Sequence, residues 1–227
     1  VRPVGDWRIK IGGGVSRRSN SANPATPGAA LDDSQLEAVV AAYAEVGLPA
    51  YVRLPSLLHH NVDGFLAERG FAREGSTLTL TASLDGADAV SDVELTAEPT
   101  PQWLQASNAI NQRPPAEARA FEAILGRLQA SAAFAAVRRE DRLVAVSYGV
   151  RHGRWLCLEA VAADPAWRGR GLAGKTVAAL MAWGAGQGAF QAALQVSEDN
   201  APARALYARL GFDRELYRYH YRRAPAA

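Results

Sequence analysis

Cysteine is almost missing from this 227-residue chain. Cys157 stands alone, so no intramolecular disulfide can form, and a reducing, cytoplasmic setting is expected. Histidine is scarce too: His59, His60, His152 and His220 fall at no metal-ligand spacing. With one cysteine available, neither a structural zinc site nor a metal cofactor is expected. No apolar run approaches the roughly 20 residues that span a bilayer, so no membrane partner is expected. The start lacks the basic and apolar stretches of a secretory leader, although the first residue is Val rather than Met. An excess of one charge is also absent. Lys and Arg number 25 against 23 Asp and Glu, a net +2 that does not suggest nucleic acid. What is present is apolar residue, 48% of the chain, enough for one large domain or two small ones. Oligomeric state is not legible in these signals.

The most informative stretch is Arg168-Gly169-Arg170-Gly171-Leu172-Ala173-Gly174-Lys175-Thr176. Read from Gly169 to Thr176 it satisfies the nucleotide P-loop pattern. Read from Arg168 through Gly171 to Ala173 it is a glycine turn opening a helix. Both readings share their physics: glycines aim backbone N–H groups at one point, and the helix dipole adds positive potential there. An anionic phosphate ligand follows either way. The flanks discriminate. A P-loop continues directly from its strand and needs most of a parallel sheet downstream. Here the apolar strand Trp155–Ala162 is cut off from the glycines by Ala163-Asp164-Pro165-Ala166-Trp167, and only 51 residues follow Thr176. Pro165 cannot lie in a central strand.

Downstream, a helix over about 171–187 precedes a strand at 192–196 and the segment Asn200-x-x-Ala203-x-x-Leu206-Tyr207-x-x-x-Gly211-Phe212. Strand, glycine turn and this last segment, in that order, resemble the GNAT (Gcn5-related N-acetyltransferase) superfamily. The resemblance implies a mixed α/β fold, its central sheet mostly antiparallel and flanked by helices. It also implies acetyl-CoA as cosubstrate and transfer of an acetyl group to a primary amine by direct attack in a ternary complex.

A faint repeat extends the resemblance. Gly70-Phe71 lies over Gly211-Phe212 at an offset of 141 residues, and the flanking residues align with it. That pattern implies a tandem form whose first half is degenerate. The first half has Pro27-Gly28-Ala29-Ala30-Leu31 at the glycine turn, Leu66 at the Tyr207 position and His59 at the Asn200 position. The expected organisation is a GNAT-like N-terminal half over 1–84, a linker over 85–100, a catalytic domain over 101–222 and a disordered tail over 223–227. A helix capped by Asp33 or Ser34 and running to about Val46 is expected in the first half, closed by Gly47. In the second half, helices are expected at 101–112 and 115–131, with strands at 133–138, 142–151 and 154–162.

Residue by residue, the resemblance assigns Arg168, Gly169, Arg170, Gly171, Leu172 and Ala173 to the cofactor's pyrophosphate. It gives Val161 and Ala162 on the strand to the pantetheine arm and Asn200 to the same cleft. Tyr207 is the candidate general acid, against a role as packed aromatic. Glu159 interrupts an apolar strand, so it needs a partner, solvent or a function. It is the candidate general base, against a salt-bridged or edge position. Cys157 has nothing adjacent to activate a thiolate and reads as core. Glu198 and Asp199 read as caps of the last helix. The amine acceptor is not legible; its specificity is expected in 101–131 and in the first half. A non-catalytic acyl-CoA binding or sensing module remains the alternative.

Overall fold

The computed structural model describes residues 1–14 and 16–225. Residues 226 and 227, the end of the expected tail, lie outside that range. Two compact units emerge, neither a single stretch of chain. Unit 1 comprises Val1–Leu78, Ser197–Asp199 and Tyr217 onward; unit 2 comprises Thr79–Val196 and Asn200–Leu216.

Unit 1 begins with three short strands, β1 (Arg2–Val4), β2 (Trp7–Ile9) and β3 (Ala22–Pro24). Next come α1 (Asp33–Ala44), β4 (Tyr51–Pro55), α2 (Val62–Glu68) and the first part of β5 (Ala72–Ser83). The later part of β11 (Arg214–Arg223) pairs antiparallel with β4, from Tyr219 opposite Pro55 to Arg223 opposite Tyr51. β3 joins β4 in parallel, with Ala22 opposite Val52. The core gathers Trp7, Ile9, Val39, Tyr43, Val52 and Leu66, all fully buried. Its two polar tips are met: the Trp7 indole N–H donates to the Ala30 carbonyl and the Tyr43 hydroxyl to that of Lys10. Helix α1 starts at a capping box, where the Asp32 carboxylate accepts from Gln35 N–H and Gln35 bonds back to Asp32 N–H. The cap is therefore Asp32, just ahead of Asp33 and Ser34, the two candidates expected from the sequence. Arg223 closes β11, and Ala224 N–H donates to the Ala50 carbonyl, whereas the sequence reading began a disordered tail at 223.

Unit 2 is built on β6 (Glu94–Thr96), β7 (Ala132–Arg139), β8 (Arg142–His152), β9 (Trp155–Ala163) and β10 (Gln191–Ser197). These strands stand in the order β10-β9-β8-β7-β6, antiparallel except for the parallel pair β9 and β10. β6 falls inside the segment read as linker. Four helices accompany them: α3 (Pro101–Ile110), α4 (Pro115–Leu125), α5 (Leu172–Gly186) and α6 (Ala201–Arg209). Pro101 and Pro115 each occupy a first helical turn, where their missing N–H costs nothing. α3 is anchored by Trp103, which is 2% exposed, packs edge-on to Phe134 and Tyr148, and donates its indole N–H to Ala135 O at 3.0 Å. Mixed α/β architecture with a mostly antiparallel sheet is thus as expected.

The repeat seen in sequence is also a repeat of local geometry. α2 and α6 each begin at an Asn whose side chain accepts from the N–H three residues on, Asn61 from Gly64 and Asn200 from Ala203. Each ends at a left-handed glycine, Gly70 at φ 76° and Gly211 at φ 85°. The next N–H then returns to the helix, Phe71 to Leu66 O and Phe212 to Tyr207 O, both at 3.0 Å. α2 is two residues shorter than α6, so the counterpart of Asn200 is Asn61 rather than the His59 found by a constant offset.

Unit 1 contains one tightly coupled charge cluster. Asp63 Oδ1 lies 2.7 Å from both His220 Nε2 and Arg222 Nε. These hydrogen bonds, led by that from Arg222, hold the Asp63 carboxyl down to about 2. A carboxylate whose pKa is depressed by folding stabilises the native state above its unfolded pKa, and that stabilisation fades as pH falls toward the folded value. Stability should therefore drop between about pH 4 and pH 2. Asp63→Asn should lower stability at neutral pH and flatten that acid limb, as read by urea unfolding at stepped pH.

Candidate active site

Strand β9 supplies the floor. Leu156 and Leu158 are buried, and Gly149 and Gly184 leave room for Leu156. A Cβ on Gly184 would come within 2.9 Å of Leu156, so the glycine lets α5 lie close to the sheet. Beyond Leu158 the strand changes. Tyr148 faces Glu159 and Val146 faces Ala162, so β9 carries one extra residue at this point. Ala160, at φ 51°, takes the left-handed conformation of that bulge. On its other edge, β9 pairs with β10 only from Trp155 opposite Gln191 to Leu158 opposite Leu194. The edge from 159 to 163 is left open on that side. Open strand edges recruit extended ligands through main-chain hydrogen bonds.

The chain then turns. Asp164 accepts from Ala166 N–H at 2.9 Å and pairs with Arg142, bracing a short 3₁₀ turn at Pro165–Trp167. Gly169 (φ 75°) and Gly171 (φ 72°) adopt left-handed conformations that L side chains resist. No side chain caps the start of α5, and the helix's first return bond is Lys175 N–H to Gly171 O. The N–H groups of Leu172, Ala173 and Gly174 consequently have no intrahelical acceptor. α5 runs for 15 residues, so its dipole reinforces them. Gly174 also permits the approach of α6: a Cβ there would lie 3.0 Å from Leu206.

These elements enclose a cavity of about 680 Å³, within the range typical of small-molecule sites. Val161, Ala162, Arg168, Gly169, Gly171, Leu172, Ala173, Asn200 and Tyr207 all line it. Two of the residues singled out in the sequence do not. Arg170 lies with its guanidinium 4.6 Å over the Trp167 ring. Glu159 is half-buried on β9, outside the lining, but its charge acts on both Tyr207 and Cys157. Ile110 and Asn111, at the end of α3, join the lining without any distinguishing sequence signal. Their segment, but not the residues, had been marked for acceptor specificity.

Tyr207 is 6% exposed and packs edge-on to Phe212. Burial first, and the Glu159 carboxylate second, push its hydroxyl up to about 12. It is therefore a protonated donor throughout the neutral range. Cys157, expected in the core, is exposed instead, because its strand face alternates away from Leu156 and Leu158. Its thiol is pushed up by partial desolvation and by Glu159, opposite to what a reactive cysteine needs. Glu198 does not cap α6; it pairs with Arg218 at 3.4 Å, and Asn200 is the cap. The P-loop reading also fails in its details. Lys175 reaches Asp92 at 3.3 Å, and the buried Thr176 hydroxyl donates back to Ala173 O at 2.9 Å. Among the described residues, no cluster of three or more His, Cys, Asp or Glu could hold a metal. Nor is any helix there long and apolar enough to cross a membrane.

A bulged strand parting from its parallel neighbour, beside an uncapped helix start behind two left-handed glycines, belongs to a fold shared with solved GNAT structures. The chain belongs to the family described as "Probable histone acetyltransferase Rv0428c C-terminal", whose model matches residues 2–222. It is 24% identical over 228 residues to the "Uncharacterized N-acetyltransferase YobR" of Bacillus subtilis (strain 168), covering 97% of this chain and 91% of that protein. A GCN5-related N-acetyltransferase from Kribbella flavida shares the fold at TM-score 0.68 and 18% identity, over 91% of this chain and 82% of that one. So does a tandem GNAT protein from the clavulanic acid biosynthesis pathway, at TM-score 0.67 and 15% identity, over 86% of this chain and 70% of that one.

Gly171→Ala forces a Cβ into the left-handed region, at a cost of about 1–2 kcal/mol. Chemical denaturation should show that loss. Lys175→Ala breaks only an exposed pair and should change stability by less than about 1 kcal/mol.

Proposed function

We propose that this acetyltransferase uses acetyl-CoA and delivers the acetyl group to a primary amine by direct attack in a ternary complex. One observation carries the reading: the free N–H groups at the start of α5, the open edge of β9 and the Tyr207 ring all belong to one cavity. A pyrophosphate suits the first, an extended amide-bearing arm the second, and a departing sulfur the third. Acetyl-CoA, when bound, supplies a thioester already activated toward attack.

The chain's own contribution is then binding, orientation and proton management. Arg168 and the N–H groups from Gly171 to Gly174 hold the pyrophosphate, with Arg170 contributing long-range positive charge. Val161 and Ala162 offer main-chain groups to the pantetheine amides, and Asn200 fixes the start of α6. Glu159 accepts the proton that the attacking amine sheds, through water because it lies outside the cavity lining. Tyr207 donates to the sulfur as the carbon–sulfur bond breaks. With its pKa near 12, outright transfer to a thiolate of ordinary pKa near 8.5 is uphill by roughly 5 kcal/mol. Tyr207 therefore acts first as a hydrogen-bond donor that stabilises the developing negative charge.

In this reading catalysis belongs to the 101–222 segment, and the 1–84 half has no part in the chemistry. Supporting that division, the counterpart of Tyr207 is Leu66, fully buried in an apolar core. The start of α1 is likewise closed to an anion, because the Asp32 carboxylate already takes its N–H group.

Acetyl-CoA at about a hundred times its dissociation constant should raise stability by roughly 2.7 kcal/mol, while Mg-ATP and Mg-GTP should do nothing. Tyr207→Phe should keep that shift but lower turnover with a responsive amine by about 10²–10⁴-fold. Unchanged turnover in the variant would remove Tyr207 from the chemistry. A wild-type protein that binds acetyl-CoA but acetylates no amine in a broad panel would favour a sensing module.

A further inference from the structure

Unit 1 contains a second chemical feature that acetyl transfer does not use. On β4 and β11 the residues opposite one another share a face of the sheet, so Arg53 stands beside Tyr221 and Pro55 beside Tyr219. By alternation Tyr217 joins the same face. The Arg53 guanidinium stacks 3.7 Å from the centre of the Tyr219 ring. Its protein hydrogen bonds are few and long: Nη1 to Asn23 Oδ1 and Nη2 to the Tyr217 hydroxyl, each 3.4 Å. Nε is buried with no acceptor at all. A guanidinium carries five donors, so this one is short of partners.

Lys10 adds a second cation. Its backbone is pinned from both sides, the N–H donating to Ser21 O and the carbonyl accepting from Tyr43. Its side chain is half-buried, and neither it nor Arg53 makes an ion pair among the described residues. Desolvation and the charge of Arg53 both hold the Lys10 ammonium below its ordinary range, with Tyr217 opposing them weakly. Glu74, the acid of this part of the unit, is already taken by Arg17 and Arg223. Two neighbouring cations, half desolvated and lacking a counter-charge, are a cost to folding. Yet the surroundings are built to keep them there. Asn23, 7% exposed, accepts from Arg53 and donates its own amide N–H to Ser21 O and Oγ. Such a shell fixes a guanidinium in place, as a recognition site requires.

We propose that Lys10, Arg53 and the Tyr217 hydroxyl form a binding site for a small oxyanion, a carboxylate or a phosphate. The guanidinium supplies planar donors, the ammonium a point charge and the phenol a neutral donor. The site is independent of the acetyl-transfer reading, since none of its residues takes part in that chemistry.

The test is thermal unfolding of the full chain at constant ionic strength, with sodium phosphate or sodium succinate replacing chloride in the low millimolar range. Wild type should be stabilised saturably by at least one of them, and the anion that responds names the oxyanion. Lys10→Met should weaken that binding by about tenfold or more, the worth of one charge-assisted hydrogen bond. Its unliganded Tm should be no lower than that of wild type, because one of two like charges is gone. Arg53→Gln should abolish the response; should that variant fail to fold, Lys10→Met decides alone. No stabilisation of wild type beyond chloride, or an equal response in wild type and Lys10→Met, would overturn the proposal.

Discussion

A buried or oriented backbone N–H must find an acceptor, and in unit 2 several do not find one within the protein. The start of α5 has no side-chain cap, and β9 leaves β10 after Leu158. Both features are built, not accidental. Two left-handed glycines turn the chain so that the helix start is bare, and a bulge at Ala160 bends the strand. Glycines at 149, 174 and 184 remove the side chains that would keep α5 from its neighbours. The rest of unit 2 holds these unmet groups in fixed positions around one cavity. A ligand rich in acceptors would complete the hydrogen-bond pattern that the fold leaves unfinished.

The two halves of the repeat share a scaffold and differ in a few side chains. Both carry a parallel strand–helix–strand unit followed by an Asn-capped helix, a left-handed glycine and a buried Phe. In the first half, the carboxylate of Asp32 closes the helix start and adds negative charge where an anion would sit. Leu66 fills the core where Tyr207 reaches the cavity. Two differences of side-chain chemistry, a carboxylate cap at one helix start and Leu66 at the place of Tyr207, thus separate the halves while the scaffold persists. Packing tolerates such exchange because Leu66 and Tyr207 both satisfy a demand for apolar bulk.

Charge is used in the opposite sense on the β4 and β11 face of unit 1. Most ion pairs in the protein are exposed and contribute little. Asp63 is an exception, because Arg222 and His220 converge on one of its oxygens. Lys10 and Arg53 are the inverse case, two cations placed together with tyrosines and an asparagine rather than with acids. Since proteins bear such local costs mainly at functional positions, the imbalance is informative.

Sequence alone determined the class of fold, the glycine turn, Asn200, Tyr207 and the internal repeat, because each rests on residue types at fixed spacing along one element. Glycines at 169 and 171 declare a turn wherever they occur, and Pro165 ends a strand locally. Tertiary structure decided what depended on neighbours distant in the chain. It exposed Cys157, set Arg170 on Trp167, turned Glu198 to Arg218 and brought Ile110 and Asn111 to the cavity. It also ended the ladder between β9 and β10 at Leu158 and left Lys10 beside Arg53. Local backbone preference is written in adjacent residues, whereas the partner of a side chain is fixed only when the whole sheet has been assembled around it.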